Sequence, residues 1–228
     1  MAPGASRAEH RVLILDDHVL FAEALELALS LEGYDVRRLE LPEEGGSMAT
    51  LRSMALRANP RTVILDLDLG RFGDGVNLVA PLARAHVNVV VVTASQDIGR
   101  WGECMRLGAR KVLTKGGALQ QALSTVRRLH QGLPVVTREE LESLLDAWSQ
   151  QSRADEDIRR RLDRLTPRER QVLGALIEGR TVRAISQDSV VSEATVRTQV
   201  KSILNKLEVS SQLAAVGMAN QIRWRQGA

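Results

Sequence analysis

Residues 165–207, which read LTPRERQVLGALIEGRTVRAISQDSVVSEATVRTQVKSILNKL, decide the fold of the C-terminal part of the chain. Thr166 followed by Pro167, with Glu169 three residues after the threonine, is typical of a helix start closed by a capping box. Gly179 suits the C-terminal stop of that helix. The spacing predicts three short helices with two tight breaks, a compact unit that can place one helix in a DNA groove.

The last of these helices, at about 192–207, has an apolar and a polar face. Ser192 can cap it, and its apolar stripe recurs at helical spacing: Val196, Val200, Ile203 and Leu207. The opposite face then carries Arg197, Thr198, Lys201 and Asn205. We therefore expect this second set to face a partner.

The segment resembles the LuxR-type helix-turn-helix, whose pattern runs L-T-x-R-E-x-x-V-L, G, I-A, S-x-x-T-V-K-x-H-V and K-L. The resemblance covers about a fifth of the chain. It implies binding to double-stranded DNA, with base contacts near Arg197, Thr198 and Lys201. Arginine can read guanine bidentately in the major groove, although either basic residue could instead grip phosphate.

Four positions depart from the LuxR-type pattern: Ser186, Ser189, Gln199 and Gln212. Ser189 stands where the family usually has leucine, so it removes an apolar anchor from the scaffold helix. We expect Val190 to compensate for that loss. DNA binding is preferred over a degenerate domain.

Composition restricts the class of protein. The chain has 228 residues, 44% of them hydrophobic, which suggests one or two domains with ordinary cores. No run approaches about 18 apolar residues, and the N-terminal segment lacks the apolar stretch of a signal peptide. Cys104 is the single cysteine, so no internal disulfide can form. We expect a cytoplasmic protein with no membrane partner.

Charge is distributed unevenly along the chain. Residues 155–228 hold 13 Lys+Arg and 9 Asp+Glu, whereas the rest holds 18 and 19. A basic C-terminal part is attracted to phosphate backbones. The run Arg159, Arg160 and Arg161 could equally be a solvated face of a linker helix.

The first 130 or so residues alternate between strand and helix patterns. Five short apolar runs are interpreted as strands: 11–15, 34–39, 62–65, 87–92 and 111–114. Continuous Val/Ile/Leu strands between helices favour a parallel sheet covered on both faces. We predict an α/β doubly wound, five-stranded parallel sheet of flavodoxin-like type, followed by a small all-α helix-turn-helix domain.

Polar residues follow the predicted strands where each strand ends. Asp16 and Asp17 follow the first strand, Asp66 the third, Thr93 the fourth and Lys115 the fifth. In a doubly wound sheet these residues meet at one edge. Clustered carboxylates repel one another, and a hard cation such as Mg²⁺ removes that conflict. A carboxylate, a hydroxyl and a lysine beside such an ion suit phosphoryl transfer.

Two runs resemble the receiver domain of response regulators, over about residues 11–131. They are DDHVLF at 16–21 and DLDL at 66–69, and the first is typical of the NarL/FixJ group. Together with the C-terminal resemblance, they suggest a NarL/FixJ-type response regulator. This implies a sensor histidine kinase as a partner.

The receiver resemblance also implies a role for each residue of the site. Asp66 would be the phosphoacceptor, Asp17 a direct Mg²⁺ ligand, and Asp16 a ligand through water. The backbone carbonyl of Asp68 and the carboxylate of Asp66 would complete the metal site. Thr93 would hydrogen-bond the phosphoryl group, and Lys115 would pair with it.

Two features depart from the receiver pattern. Val112 stands three residues before Lys115, where the family usually has a tyrosine or phenylalanine that turns inward on activation. The loop after Asp66 usually carries Pro-Gly and here reads GRFGD at 70–74, one residue longer. The chemistry is therefore expected to be intact, whereas the usual signal relay is altered.

Simpler interpretations compete with these. An aspartate pair at a strand end is often a solvated turn, Thr93 could cap the next helix, and His18 is better interpreted as a helix-start residue than as a ligand. The combination of Asp16, Asp17 and Asp66 with Lys115, in order and at strand ends, favours the functional interpretation.

The predicted domain organisation has three parts. A receiver spans 10–131, a linker with one helix spans 132–160, and the helix-turn-helix domain spans 161–228. The linker helix is capped by Thr137 and reaches about Trp148, after which polar residues 149–157 are interpreted as the linker proper.

The leading hypothesis is a DNA-binding transcription regulator that is not an enzyme, with phosphorylation of Asp66 controlling dimerisation and promoter binding. The alternative keeps DNA binding and replaces phosphorylation by a ligand, a partner or abundance. A remote alternative is a haloacid-dehalogenase-type phosphatase, suggested by VILDLD at 63–68. A homodimer is expected, in part through a helix at 211–225, whose apolar residues are Leu213, Val216, Met218, Ile222 and Trp224.

Overall fold

The computed structural model describes residues 7–41, 46–222 and 224. It divides into two compact units, Met1–Ser149 and Gln150–Ala228.

The first unit is built on a five-stranded, all-parallel sheet in the order β2-β1-β3-β4-β5. Its strands are β1 Arg11–Leu15, β2 Asp35–Arg38, β3 Thr62–Asp66, β4 Asn88–Thr93 and β5 Lys111–Thr114. The three central strands are almost entirely buried, because helices cover both of their faces. The predicted doubly wound parallel sheet is confirmed.

Five helices pack on this sheet: α1 Val19–Leu31, α2 Met48–Arg57, α3 Val76–Arg84, α4 Ile98–Arg106 and α5 Ala118–His130. Alternate strand residues enter two separate cores. Leu13, Val63 and Val91 belong to the core under α2, α3 and α4. Neighbouring Ile14 and Ile64 belong to the core under α1 and α5. The sheet is therefore a two-faced wall whose carboxyl edge is left for polar groups.

A 26-residue helix, α6, runs from Arg138 to Asp163 and contains the boundary between the two units. The prediction that it ends near Trp148 is wrong, and residues 149–157 are helical. Polar composition suggested a linker, yet the stretch contains neither Gly nor Pro, so nothing in its backbone stops the helix. The domain boundaries at 131/132 and 160/161 stay predictions.

The second unit continues with α7 Pro167–Ile177, α8 Val182–Asp188, α9 Glu193–Leu207 and α10 Gln212–Gln221. Thr166 and Glu169 form the predicted capping box, and Gly179 has the left-handed φ of +77° expected after a helix. Ser192 caps α9 as predicted. The predicted apolar stripe of α9 is buried in the core of this unit.

Glu169 does more than close its own helix. Its carboxylate accepts hydrogen bonds from Lys206 Nζ and Ser202 Oγ of α9, each at 2.7 Å, and from the Thr166 N–H at 2.7 Å. Burial alone would raise the pKa of Glu169, but these hydrogen bonds outweigh it and lower the pKa to about 2. The start of α7 is thereby tied to α9.

The turn between α8 and α9 departs from expectation. Val190 is 91% exposed, so the prediction that it compensates for Ser189 is wrong. Ser189 instead borders a cavity of ≈ 210 Å³ that is also lined by Val172 and Ile185. Val190 has φ +53°, a left-handed conformation that a β-branched residue adopts only with strain.

Replacing Val190 with asparagine should therefore stabilise the second unit by about 1 kcal/mol, because asparagine tolerates the left-handed region and no buried contact is lost. Val190→Ala, which keeps a Cβ, is the control and should give a smaller gain. Thermal unfolding of both variants measures the difference. An unchanged or lower midpoint for Val190→Asn would show that the turn is unstrained.

Glu169→Gln should destabilise the second unit at pH 7, because glutamine keeps a capping acceptor but loses the charge that Lys206 pairs with. Since the folded pKa lies below the ordinary value of 4.5, this stabilisation is present above pH 4.5 and is lost as the pH falls toward 2, by about 3 kcal/mol at most. The variant should thus show a flatter acid dependence over that window.

Amide hydrogen exchange in α7 and α9 reports the stability of this unit alone. Glu178→Gln, a change at an exposed carboxylate of the same unit, is the matched control and should stay within about 0.5 kcal/mol of the parent. Equal losses in the two variants would contradict the assignment.

Candidate functional site

Four of the predicted residues meet at the carboxyl edge of the sheet. Asp16 follows β1, Asp66 ends β3, Thr93 ends β4 and Lys115 follows β5. The Lys115 Nζ lies 2.7 Å from Asp66 Oδ2 and 2.9 Å from Asp16 Oδ1. These side chains come from positions far apart in the chain, and the parallel order of β1, β3, β4 and β5 brings them together. We call Asp16, Asp17, Asp66 and Lys115 the acidic site.

The electrostatics of this site follow from its burial. Burial raises the pKa of Asp66; the hydrogen bond from Lys115 opposes that rise, and the charge of Asp16 adds to it. Burial would lower the pKa of Lys115, but hydrogen bonds to Asp66 and Asp16 outweigh it and raise the pKa. The ammonium group thus has two carboxylate partners, whereas Asp66 has a neighbouring carboxylate as well as a cation.

The site can accommodate a cation. Ligand atoms of Asp16, Asp17, His18 and Asp66 all lie within 4.8 Å of one another. Asp16 Oδ2 is buried and, among the described residues, has no hydrogen-bond partner. Burying such an atom unpaired is costly, so a hard cation bound by these oxygens would satisfy it. The described contact of Asp68 with the site comes from its N–H, which donates to Asp66 Oδ1 at 3.2 Å.

His18 joins the site, although sequence reasoning interpreted it as a helix-start residue only. It precedes α1, and it does not cap this helix through its side chain. Its Nδ1 lies 2.7 Å from Asp17 Oδ1 and 3.0 Å from Lys115 Nζ, and its tautomer decides which bond forms. The only sequence signal was its place directly after the aspartate pair.

The loop after β3 wraps back over the site. A Cβ at Gly75 would overlap the backbone carbonyl oxygen of Asp66, so only glycine fits there. Gly70 has φ +55°, and a Cβ there would lie 3.4 Å from Asp17 Oδ2. The extra residue of this loop sits in a 3-10 turn, Gly70–Phe72, whose phenylalanine is buried. The unusual loop is therefore built into the unit.

Thr93 and Val112 lie near the site without contacting its charges in any described bond. Thr93 is buried, and its Oγ1 accepts the Ser95 N–H at 3.1 Å. Val112 is buried in the core under α4. An aliphatic side chain in that core cannot swing between surface and interior as an aromatic ring would.

The predicted contact face of α9 is exposed in the second unit: Arg197, Thr198, Lys201 and Asn205. Arg197 pairs with Glu193 at 3.3 Å, a weak surface contact. Lys201 makes no ion pair within residues 7–41, 46–222 and 224. Both cations therefore remain available to a partner, as expected.

The arginine run in α6 behaves as a solvated face instead. Arg160 and Arg161 pair with Asp157 at 3.1 and 2.8 Å, and Arg161 also approaches Glu208 at 3.4 Å. The second of the two interpretations from sequence is favoured. The basic charge that remains exposed on α9 is more relevant to a partner.

On α10, Met218, Ile222 and Trp224 pack against the core of the second unit, whereas Leu213 is 82% exposed. Arg225, the end of the helix predicted over 211–225, lies outside the described residues. Leu213 therefore leaves an apolar side chain on the surface of the unit.

Comparison with known proteins places each unit in a family. The model of the response regulator receiver domain matches residues 12–127, and the model of the luxR family of bacterial regulatory proteins matches residues 163–219. No helix of the described chain is both long and apolar enough to cross a membrane.

Several curated relatives extend along nearly the whole chain. A putative transcriptional regulator of Pseudomonas aeruginosa is 28% identical, covering 92% of this chain and 97% of its own. A nitrate/nitrite response regulator protein homolog of Haemophilus influenzae is also 28% identical, covering 90% and 93%. A solved RcsB response regulator of Salmonella typhimurium shares the fold at 22% identity and a TM-score of 0.50, covering 92% and 98%. The chain therefore belongs to the response regulators, with a receiver domain followed by a LuxR-type helix-turn-helix DNA-binding domain.

Proposed function

We propose that Asp66 accepts a phosphoryl group from a sensor histidine kinase, and that this event controls binding of paired DNA sites by α9. The contact of Lys115 with both Asp66 and Asp16 carries the proposal. It holds a buried carboxylate beside a cation at the edge where polar groups of this fold collect. A carboxylate oxygen of Asp66 attacks the phosphorus of a phosphohistidine. The new P–O bond forms as the P–N bond breaks, and the imidazole leaves with the electron pair.

Mg²⁺ would be held by the carboxylates of Asp16, Asp17 and Asp66 and by the backbone carbonyl of Asp68. When bound, it supplies positive charge for the phosphoryl oxygens. The unpaired Asp16 Oδ2 and the cluster of oxygens support this assignment.

Lys115 and Thr93 act on the product of the transfer. Lys115 already contacts Asp66 Oδ2, so its ammonium group can pair with the phosphoryl oxygens there. The Thr93 hydroxyl can donate to the same group, because a hydroxyl both donates and accepts. These two residues would report to the rest of the unit that Asp66 is modified.

Substitution separates these roles. Asp66→Ala should abolish phosphorylation by acetyl phosphate, and Asp17→Ala should abolish Mg²⁺ binding. Lys115→Ala should leave Mg²⁺ binding largely intact while impairing phosphorylation or the response to it. Phosphoprotein gels and Mg²⁺ titration measure these outcomes.

Asp35→Asn is the matched control, because this carboxylate lies on β2 away from the acidic site, where it pairs with Arg11. It should be phosphorylated normally. A stable phosphoprotein formed by Asp66→Ala, with the label on another residue, would refute the assignment. DNA binding by a parent protein that accepts no phosphoryl group would favour regulation by a ligand, a partner or abundance.

DNA binding is assigned to the exposed face of α9, which would lie in the major groove. Two such helices would bind paired half-sites in a homodimer, and exposed Leu213 on α10 supports an apolar contact between copies. Buried Cys104, whose pKa is raised to about 12 by burial, suits a regulator that works in the reducing cytoplasm.

The two basic residues of α9 should differ in what they read. If Arg197 contacts a base, Arg197→Ala relaxes the preference at one position of each half-site, at about 1–3 kcal/mol of discrimination. If Lys201 grips phosphate, Lys201→Ala weakens all sequences alike and lowers the salt slope by about 1 per protomer. Binding to a random duplex library at several salt concentrations measures both.

Arg160→Ala on α6 is the control, since this arginine belongs to a solvated, paired face. It should leave sequence preference unchanged. If the Arg197→Ala, Lys201→Ala double variant keeps its affinity, preference and salt slope, α9 is not the reading helix.

A further inference from the structure

The first part of α6, residues 138–149, packs on α4 inside the first unit, and we call it the docked segment. Gly102 of α4 is buried against it. A Cβ at Gly102 would overlap the Leu144 carbonyl oxygen and would lie 2.7 Å from Trp148 Cβ. The two helices therefore touch backbone to backbone, and no side chain of Gly102 can absorb a movement between them.

Two polar contacts flank this close approach. Lys111 Nζ lies 2.6 Å from Glu140 Oε1, and the Arg106 guanidinium lies 4.5 Å from the centre of the Trp148 ring. Leu144 packs against the same core that contains Val112. The docked segment is thus held along its length by β5 and α4.

The other side of α4 is connected to the acidic site by two hydrogen bonds in series. Thr93 Oγ1 accepts the Ser95 N–H at 3.1 Å, and the Ser95 carbonyl accepts the indole N–H of Trp101 at 3.0 Å. Trp101 directly precedes Gly102 in the chain. A movement of the Thr93 hydroxyl therefore has a short path to the docked segment.

A second connection reaches the same helix from the loop after β3. Arg100 Nη2 donates to Asp74 Oδ1 at 2.6 Å. Asp74 precedes Gly75, whose N–H donates to the Leu67 carbonyl, next to Asp66, at 2.8 Å. Both sides of the first turn of α4 are therefore tied to backbone beside Asp66.

We propose that α4 transmits the state of Asp66 in this chain, with Trp101 and Gly102 as the positioning residues that couple Thr93 to the docked segment. This rests on the proposed function of Asp66. It gives a physical route that does not require an aromatic ring at Val112. When Thr93 turns toward the phosphoryl group, the Ser95 N–H loses its acceptor and the Trp101 indole shifts.

The shift then acts directly on α6. Because Gly102 and Leu144 are in backbone contact, α4 cannot move toward the docked segment without displacing it. The same helix continues to Asp163, and Ile158 and Leu162 are buried in the core of the second unit. A change in the docked segment is therefore communicated to the DNA-binding domain by continuous helix.

Two substitutions in the full chain test this route. Trp101→Phe keeps a ring in the core but removes the donor to Ser95, and Gly102→Ala places a methyl group against Leu144. Each protein is treated with acetyl phosphate and Mg²⁺. Its affinity is then measured with and without the donor, on a duplex that the parent selects from a random library. The parent should gain about fivefold or more in affinity on phosphorylation.

Both variants should be phosphorylated at Asp66 at a rate within about twofold of the parent, yet gain less than about twofold in DNA affinity. Gly102→Ala should also speed hydrogen exchange in residues 138–149 relative to the parent. Glu142→Gln, on the exposed face of the docked segment, is the control and should keep the full gain.

The possible failures are distinguishable. A parent that accepts no phosphoryl group, or gains no affinity from it, overturns the proposed function and this coupling together. A parent that responds while both variants respond equally overturns the coupling alone. If Gly102→Ala does not fold, Trp101→Phe decides by itself, because its ring still fills the core position.

Discussion

The functional edge of the receiver sheet depends on one ammonium group. Lys115 contacts Asp66 and Asp16, two carboxylates whose side chains are each only 2% exposed and which would otherwise repel one another. This contact exists only because β1, β3, β4 and β5 are neighbours in that order, so that strand ends from distant parts of the chain coincide. The helices on both faces in turn bury the sheet and keep water away from the pair.

Glycines set the second constraint, because they allow backbone to approach backbone. Gly75 lets the long loop after β3 pass against Asp66, and Gly102 lets α4 lie directly on α6. Since α6 has one end in each core, the two domains are joined by ordered helix and not by a flexible tether. A regulator built in this way can convert a small change at a strand end into a displacement of a helix.

Part of the fold could be predicted because local patterns carried it. Continuous apolar runs identified the strands, and Thr166 with Glu169 identified a helix start. The predicted linker at 149–157 failed for a local reason too: polarity does not break a helix, and side chains there bond along it, as Gln151 does to Asp155 at 2.9 Å. Val190 failed because its pattern suggested burial, whereas the backbone turn at that residue points it to solvent.

The sequence by itself determined the order of the elements, the two families of motif, and the set of polar residues at the strand ends. Periodicity and capping are local, so they are readable along the chain. Only the tertiary structure decided that Lys115 spans Asp16 and Asp66, that His18 joins them, and that Gly102 meets Leu144. Those pairs are separated by tens of residues except for the short step to His18. Their distances depend on how strands order and helices pack, and no local pattern encodes such packing.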